Sequence, residues 1–353
     1  MEQKKKRLMY LDRCKGLGIL LITLGHIITL GVPLKDWMAP FKISIFYVVA
    51  GWILAMNPQS CEMSVGKRVK KLFFSLMWPY FTLSILGILT RGMWMVFKMK
   101  SVPKRLLYDL KKTLTLQGIG PMWFLPSLFL AQVIFFLVLK SRIRSLQGLC
   151  FAVPLFVAPH MRAWYNLFPK ESLRQAALLL PMKALIALWF LQMGYWGFLL
   201  LRRLESRALQ GALGGALILG TLVMVPFTPS INLNYLKLGQ PIWFFFVGGL
   251  MGSFGFLLLF QALEGVLHEP LLTYWGRNSI ILMGTQRGMS ILNFTITGMS
   301  HYIRIHKNEC PRYYLESFLI FIVVLALEYT VTELILRYAP FVTRFPALKR
   351  SES

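Results

Sequence analysis

Long apolar runs alternate with short basic clusters along most of the chain. Runs of about 20 residues are long enough to cross a bilayer as helices. Ten such segments are predicted, near residues 14–34, 37–56, 72–90, from 120–126 onward, 148–159, 178–200, 209–227, 241–260, 273–296 and 315–336. The pattern therefore predicts an all-α fold, a polytopic bundle of about ten transmembrane helices.

The basic clusters predict how this bundle is oriented. Clusters such as 67–71 and 202–207 separate alternate spans, and the positive-inside rule assigns them to the cytoplasm together with both termini. We expect residues 1–340 to form one transmembrane domain and residues 341–353 a short basic cytoplasmic tail. Residues 91–120 form an exception, since basic and apolar residues alternate there at helical spacing. This segment predicts an interfacial helix on the outer side, where its charge opposes the positive-inside rule.

Composition supports a membrane protein and excludes several other classes. The 353 residues are 56% hydrophobic, with a mean hydropathy of +0.58, too apolar for a soluble domain. The formal charge is +25. The basic residues are not interleaved with aromatic residues in the way that allows bases to stack, so no nucleic-acid partner is expected. The four cysteines have no metal-type or redox-type spacing, so we expect neither a metal site nor a disulfide framework. Asp12, Arg13 and Lys15 interrupt the first apolar run, which predicts a retained helix rather than a signal peptide.

The first span carries a basic residue and a histidine on one face. Lys15 and His26 are eleven residues apart, almost three helical turns, so both point the same way about 16 Å apart. Ionisable groups at membrane depth are costly and usually functional. Taken alone, Lys15 is also compatible with a snorkelling anchor, and His26 with a buried histidine bonded to a carbonyl. The pair on one face favours a functional site.

These residues resemble those of acyltransferase family 3, a family of integral membrane enzymes. The family's first helix carries a basic residue, ten intervening residues and a histidine, a pattern that Lys15 and His26 match. The sequence motif here resembles that of the branch that includes fucose 4-O-acetylase-like proteins. It reads Leu-Asp-x-x-Lys-Gly-x-Gly-Ile over 11–19 and ends in Leu-Gly-His over 24–26. The resemblance implies acyl transfer to a sugar.

Further marks of the family recur in order along the chain. Lys42 stands where members commonly have a second histidine, and Gln286 stands where many have another. Trp123 opens the fourth span, and Asn278 and Ser279 match a family block at the start of the ninth. The resemblance implies that these five residues bind the acceptor or give polar support. Lys42 is also compatible with snorkelling and Trp123 with the interfacial aromatic belt.

The resemblance implies a membrane O-acyltransferase of the plasma membrane. An acyl group, acetyl being the commonest in the family, would pass from cytoplasmic acyl-CoA to a sugar hydroxyl of a surface or lipid-linked glycan. His26 would be the general base, and Asp12 would hold Lys15. Acetyl-CoA would be a co-substrate rather than a bound cofactor, and membrane lipids and the glycan acceptor would be the partners. The cations implied to bind the acyl donor are Lys15, Arg13, Arg68 and Lys71. Arg68 and Lys71 share a helix face suited to phosphates, or serve only as an orientation signal.

Two other classes remain open from the sequence. A transporter would use His26, Lys42 and Lys183 as a substrate or proton path, although no internal repeat relates two halves of the chain. A receptor or structural membrane protein leaves the Lys15 and His26 stripe unexplained. Further ionisable groups within the spans, namely Lys183, Arg287, Glu328 and Glu333, are compatible with structural pairing among themselves.

Overall fold

The computed structural model confirms the all-α class. It is 84% helical and has no strand among the described residues. The structure describes residues 8–28, 32–97, 102–170, 172–299 and 310–343.

The helices follow one another with short connections. In the first part of the chain they are α1 Met9–Ile27, α2 Pro33–Met38, α3 Phe41–Met56, α4 Gln59–Glu62, α5 Val65–Leu72, α6 Trp78–Phe97, α7 Val102–Leu114 and α8 Phe124–Ser141. In the second part they are α9 Arg144–Leu167, α10 Leu173–Leu201, α11 Arg207–Val223, α12 Trp243–Ala262, α13 Pro270–Arg277, α14 Ser279–Gly288, α15 Ile291–Met299 and α16 Cys310–Tyr338. A π-helical turn over Phe73–Met77 joins α5 to α6.

Six described segments are long and apolar enough to cross a membrane, which supports an integral membrane protein. The number of about ten spans and the cytoplasmic termini stay predictions. Residues 344–353 of the predicted tail lie outside the described residues. The six segments are Pro33–Met56, Val65–Val96, Gly120–Ser141, Leu173–Leu201, Trp243–Ala262 and Pro311–Tyr338.

Two predicted spans have different bounds in the structure. The span predicted at 14–34 is helix α1, which begins at Met9 and ends at Ile27. A new helix starts at Pro33, since proline suits the first turn of a helix but not its interior. The continuous span predicted at 273–296 is wrong: it is three short helices, and Ser290 between the last two has a left-handed φ of 63°.

Helix α1 lies in the interior of the bundle and packs against α3, α12, α13, α14 and α16. Its crossing with α13 is close enough to require glycine on both helices. A Cβ on Gly16 would overlap the carbonyl of Leu272, and one on Gly276 would overlap the carbonyl of Asp12. On the opposite side, the Trp52 indole of α3 donates a hydrogen bond to the Tyr10 hydroxyl over 3.0 Å. These contacts fix the N-terminal half of α1.

The helix predicted within residues 91–120 is present as α7. Leu107 and Leu114 on this helix are each 68% exposed, whereas Asp109 and Thr113 are buried. An apolar face therefore points away from the protein, as an interfacial helix requires. Its position in a membrane interface stays a prediction.

Candidate active site

The two polar ends of α1 lie in different surroundings. At the N-terminal end, the Lys15 ammonium lies 2.8 Å from one Asp12 carboxylate oxygen, and the Arg277 guanidinium lies 3.6 Å from the other. Asp12 is 3% exposed. Because a buried carboxylate is stable only when paired, the two cations explain how Asp12 is accommodated. His26 lies in the last turn of the same helix, about 16 Å from Lys15 along the axis.

His26 is surrounded by cations. The electrostatic neighbours of its imidazole are Arg287, Lys42 and Lys35. Lys42 extends to the first helix beside the histidine, since a Cβ on Gly25 would lie 2.7 Å from the Lys42 ammonium. The His26 Nε2 is buried and has no hydrogen-bond partner among the described residues. A ring nitrogen of this kind is available to accept a proton from a substrate hydroxyl.

His26 opens onto a large cavity with a volume of about 890 Å³. Trp123 and Lys42 line the same cavity, so three of the predicted site residues share one space. The walls come from the ends of α1, α3, α6, α9, α10 and α14, from α7, and from the connection between α11 and α12. All of these belong to the end of the bundle at which α1 finishes.

The cavity wall is strongly basic: its described residues include ten lysines and arginines and one carboxylate, Asp109. Four of the cations come from α2, α3, α6 and α14, namely Lys35, Lys42, Arg91 and Arg287. The other six come from α7 and from the segments around residues 162–170 and 237, namely Arg105, Lys111, Lys112, Arg162, Lys170 and Lys237.

Asp109 is neutralised within the wall. Arg91 and Arg105 approach its carboxylate at 3.1 and 3.4 Å, and Arg91 also donates to the backbone carbonyl of Arg287. The sequence pattern did not single out Arg91, Asp109, Arg162 or Lys237. For Arg91 and Asp109 the available signal was the excess of basic residues in the loop over 91–120, which was predicted to lie outside.

Trp123 is buried, with 4% of its surface exposed. The Lys183 ammonium lies 4.5 Å from the centre of its ring and donates to the Asn234 side-chain oxygen over 2.8 Å. A belt tryptophan faces the lipid interface, so this burial agrees better with a role in the cavity wall. The same contacts explain how the buried Lys183 is accommodated.

The predicted pairing among the other intramembrane ionisable groups is wrong for the described residues. Glu328 accepts a hydrogen bond from Thr285 over 2.5 Å. Glu333 accepts one from the Tyr274 hydroxyl over 2.6 Å. Neither carboxylate has a lysine or arginine within ion-pair distance in the described part of the chain; their partners are hydroxyl groups from α13 and α14.

Three predicted acceptor residues lie away from the cavity lining. Asn278 and Ser279 stand at the junction of α13 and α14, beside Arg277 and therefore toward the Asp12 end of α1. Gln286 is fully buried, and neither atom of its side-chain amide has a hydrogen-bond partner in the described structure. It immediately precedes Arg287, which does line the cavity.

The predicted acyl-donor residues occupy separate positions at the other end. Arg13 is 2% exposed and donates to the Leu267 carbonyl over 2.5 Å, while its Nε and Nη1 have no partner among the described residues. Arg68 lies over the Phe136 ring at 5.9 Å. Lys71 is exposed, although it is only three residues from Arg68. Arg68 and Lys71 thus have different surroundings, although their i, i+3 spacing puts them on neighbouring parts of the α5 surface.

Arg68 also lines a second, smaller cavity of about 180 Å³ with Asn57, Ser60 and Gln132. Burial raises the pKa of the neighbouring Cys61 thiol, which keeps that sulfur neutral near pH 7. Cys61 therefore does not compensate the charge of Arg68, and an anion is a suitable partner for this guanidinium.

Within the described residues no group of three histidine, cysteine, aspartate or glutamate side chains is placed to hold a metal ion.

Comparison with known proteins identifies the family. A family model described as an acyltransferase domain, that of acyltransferase family 3, matches residues 8–333. The match includes α1, every cavity-lining residue and most of α16. No curated protein and no solved structure matches the chain. Because the family model covers nearly the whole sequence and the helices are those of a membrane protein, the chain belongs to acyltransferase family 3 and is a membrane acyltransferase.

Proposed function

We propose that the protein transfers an acetyl group from cytoplasmic acetyl-CoA to a sugar hydroxyl of a surface or lipid-linked glycan at the plasma membrane. The observation that carries the proposal is the placement of His26 in a large polar cavity, on the same helix as a cation-rich far end. The distance of about 16 Å along that helix suits a long acyl-donor arm that spans the two ends.

In the proposed reaction, His26 Nε2 accepts the proton of the acceptor hydroxyl while the hydroxyl oxygen attacks the thioester carbonyl carbon. The carbon–sulfur bond then breaks, and the imidazolium returns the proton to the departing CoA sulfur. The Lys42 ammonium beside Gly25 is placed to stabilise negative charge that develops on the carbonyl oxygen. A histidine acylated for part of the cycle is the covalent variant of the same reaction.

The donor would be held at the opposite end of α1. The unpartnered guanidinium donors of Arg13 and Arg68 are suited to phosphate oxygens, and Lys15 and Lys71 add positive charge nearby. Asp12 acts as a positioning residue, since it contacts Lys15 and Arg277 rather than the reacting atoms. Asn278, Ser279 and Gln286 would give polar support around α14, and Trp123 would contact the acceptor in the cavity.

The test is release of free CoA by the purified protein in lipid nanodiscs, with and without a glycan extract. We expect turnover of acetyl-CoA that requires the extract. Succinyl-CoA in a parallel reaction identifies the acyl group. If folded protein releases CoA from neither donor, the transferase proposal fails, and the transporter alternative, with His26 and Lys42 on a substrate path, gains support.

The donor site gives a separate prediction. Replacing Arg68 by glutamine should raise the KM for acetyl-CoA by about 10- to 100-fold, because a charge-assisted hydrogen bond contributes about 1.5–3 kcal/mol. The KM for the acceptor should not change. Lys67→Gln is the matched control, since Lys67 is an exposed cation on the same helix. An equal change in both variants would place the donor site elsewhere.

A further inference from the structure

The cavity at His26 is too basic for a neutral sugar to explain. The whole chain has 39 basic and 14 acidic residues, whereas the described residues of this cavity wall include ten basic residues and one acidic residue. Like charges that face one concave space repel one another. Sites for neutral sugar hydroxyls have no need of such an excess.

Partners within the described part of the chain do not neutralise this charge. Asp109, the one carboxylate among the described wall residues, already accepts from Arg91 and Arg105. Arg162 donates to the Tyr235 carbonyl over 2.7 Å, and Lys35 donates to the Ile28 carbonyl over 2.5 Å. A carbonyl satisfies a hydrogen bond but leaves the positive charge in place. Most of the cavity's charge is therefore available to an anionic ligand.

Three lysines on the rim are exposed cations. Lys111, Lys170 and Lys237 are exposed, line the cavity and have no ion-pair partner among the described residues. They come from three separate segments: α7, the connection from α9 to α10, and the connection from α11 to α12. Segments distant in the sequence thus bring the same charge to one opening.

The predicted membrane orientation also favours an anionic ligand. In that orientation the cavity opens on the outer side, where the positive-inside rule disfavours lysine and arginine. An orientation signal therefore does not account for these cations, but the binding of an anion does.

We infer that the acceptor is a polyanionic glycan, whose phosphate, sulfate or carboxylate groups bind the rim lysines while a hydroxyl reaches His26. This inference rests on the proposed function for the transfer step. The negative groups of the acceptor then determine which glycans bind and align the reacting hydroxyl.

The experiment separates binding from turnover. The test variant is Lys111→Gln/Lys170→Gln/Lys237→Gln, and the control is Arg202→Gln/Arg203→Gln/Arg207→Gln. The control removes three exposed cations outside the cavity lining. Each protein is placed in phosphatidylcholine nanodiscs. Binding of fluorescent dextran sulfate is compared with binding of neutral dextran of the same length. Acceptor activity is measured on a glycan extract divided by anion exchange into retained and unretained fractions.

We expect dextran sulfate but not dextran to bind, and acceptor-dependent CoA release to occur with the retained fraction. The rim variant should weaken dextran sulfate binding and raise the KM for the retained fraction by about tenfold, as expected for the loss of three exposed ion pairs. The KM for acetyl-CoA should stay constant, and the control variant should behave like the wild type.

Other outcomes contradict the inference in distinguishable ways. Turnover confined to the unretained fraction, or equal losses of binding in both variants, would overturn it. A raised KM for acetyl-CoA would assign the rim to the donor's phosphates instead. A further arm adds phosphatidylglycerol to the nanodiscs of both the wild type and the rim variant. If dextran sulfate binding is then lost in both, the anion site is assigned to lipid. If no fraction supports CoA release but dextran sulfate binding still requires the rim lysines, the proposed transferase function fails while the anion-binding site stands.

Discussion

Replacing His26 by glutamine is expected to lower kcat for acetyl transfer by about 10²–10⁴-fold, the usual contribution of a general base. Glutamine keeps a polar side chain of similar size in the cavity but cannot take up the proton. Because the substitution removes an interaction made in the transition state, the KM for acetyl-CoA should change little. The measurement is the rate of CoA release at saturating donor and acceptor.

His160 provides the matched control. It is an exposed histidine on α9 that stacks on Trp164 at 6.0 Å and does not line the cavity. His160→Gln should retain full activity. If His26→Gln folds normally and keeps more than about a third of the wild-type kcat, the decrease in kcat is far smaller than the contribution of a general base. The base must then be another cavity residue.

Replacing Gly276 by alanine is expected to produce a large loss of stability. The added Cβ would overlap the Asp12 carbonyl on α1, and backbone cannot move aside as a flexible side chain does. Overpacking of this kind costs about 1–3 kcal/mol or more. It would also separate Arg277 from Asp12 and displace Lys15. The midpoint of thermal unfolding in nanodiscs should fall, and transferase activity should fall with it.

Gly148→Ala is the control for helix propensity. Gly148 lies within α9, and a Cβ there would meet nothing within 4 Å. Alanine at an open helical position is about 0.8–1 kcal/mol more favourable than glycine, so this variant should be at least as stable as the wild type. A Gly276→Ala protein with an unchanged midpoint would show that α1 and α13 separate without cost.

The first helix shows which structural features a sequence pattern predicts and which it does not. The spacing of Lys15 and His26 correctly predicted one helix with both residues on it, because helical periodicity is local. The bounds were less accurate. Hydropathy placed the start near residue 14, after Asp12 and Arg13, whereas the helix begins at Met9. The ion pair between Asp12 and Lys15 allows Asp12 to lie within it.

The spacing of Arg68 and Lys71 did not reveal that their surroundings differ. Residues three apart lie on neighbouring parts of a helix surface, but tertiary packing decides which part is covered. Here α8 covers Arg68 with Phe136 and leaves Lys71 exposed. The pattern within one helix contains no information about that neighbour.

The sequence by itself determined the all-α membrane class, the family and the candidate histidine, since these depend on composition, hydrophobic periodicity and local motifs. Only the tertiary structure decided that Lys42 and Trp123 share a cavity with His26, that Asn278 and Ser279 do not line it, and that cations from distant segments converge on it. Convergence of this kind depends on how helices far apart in the sequence pack together. Close approaches such as that of Gly276 to Asp12 set this packing, and no local pattern specifies it.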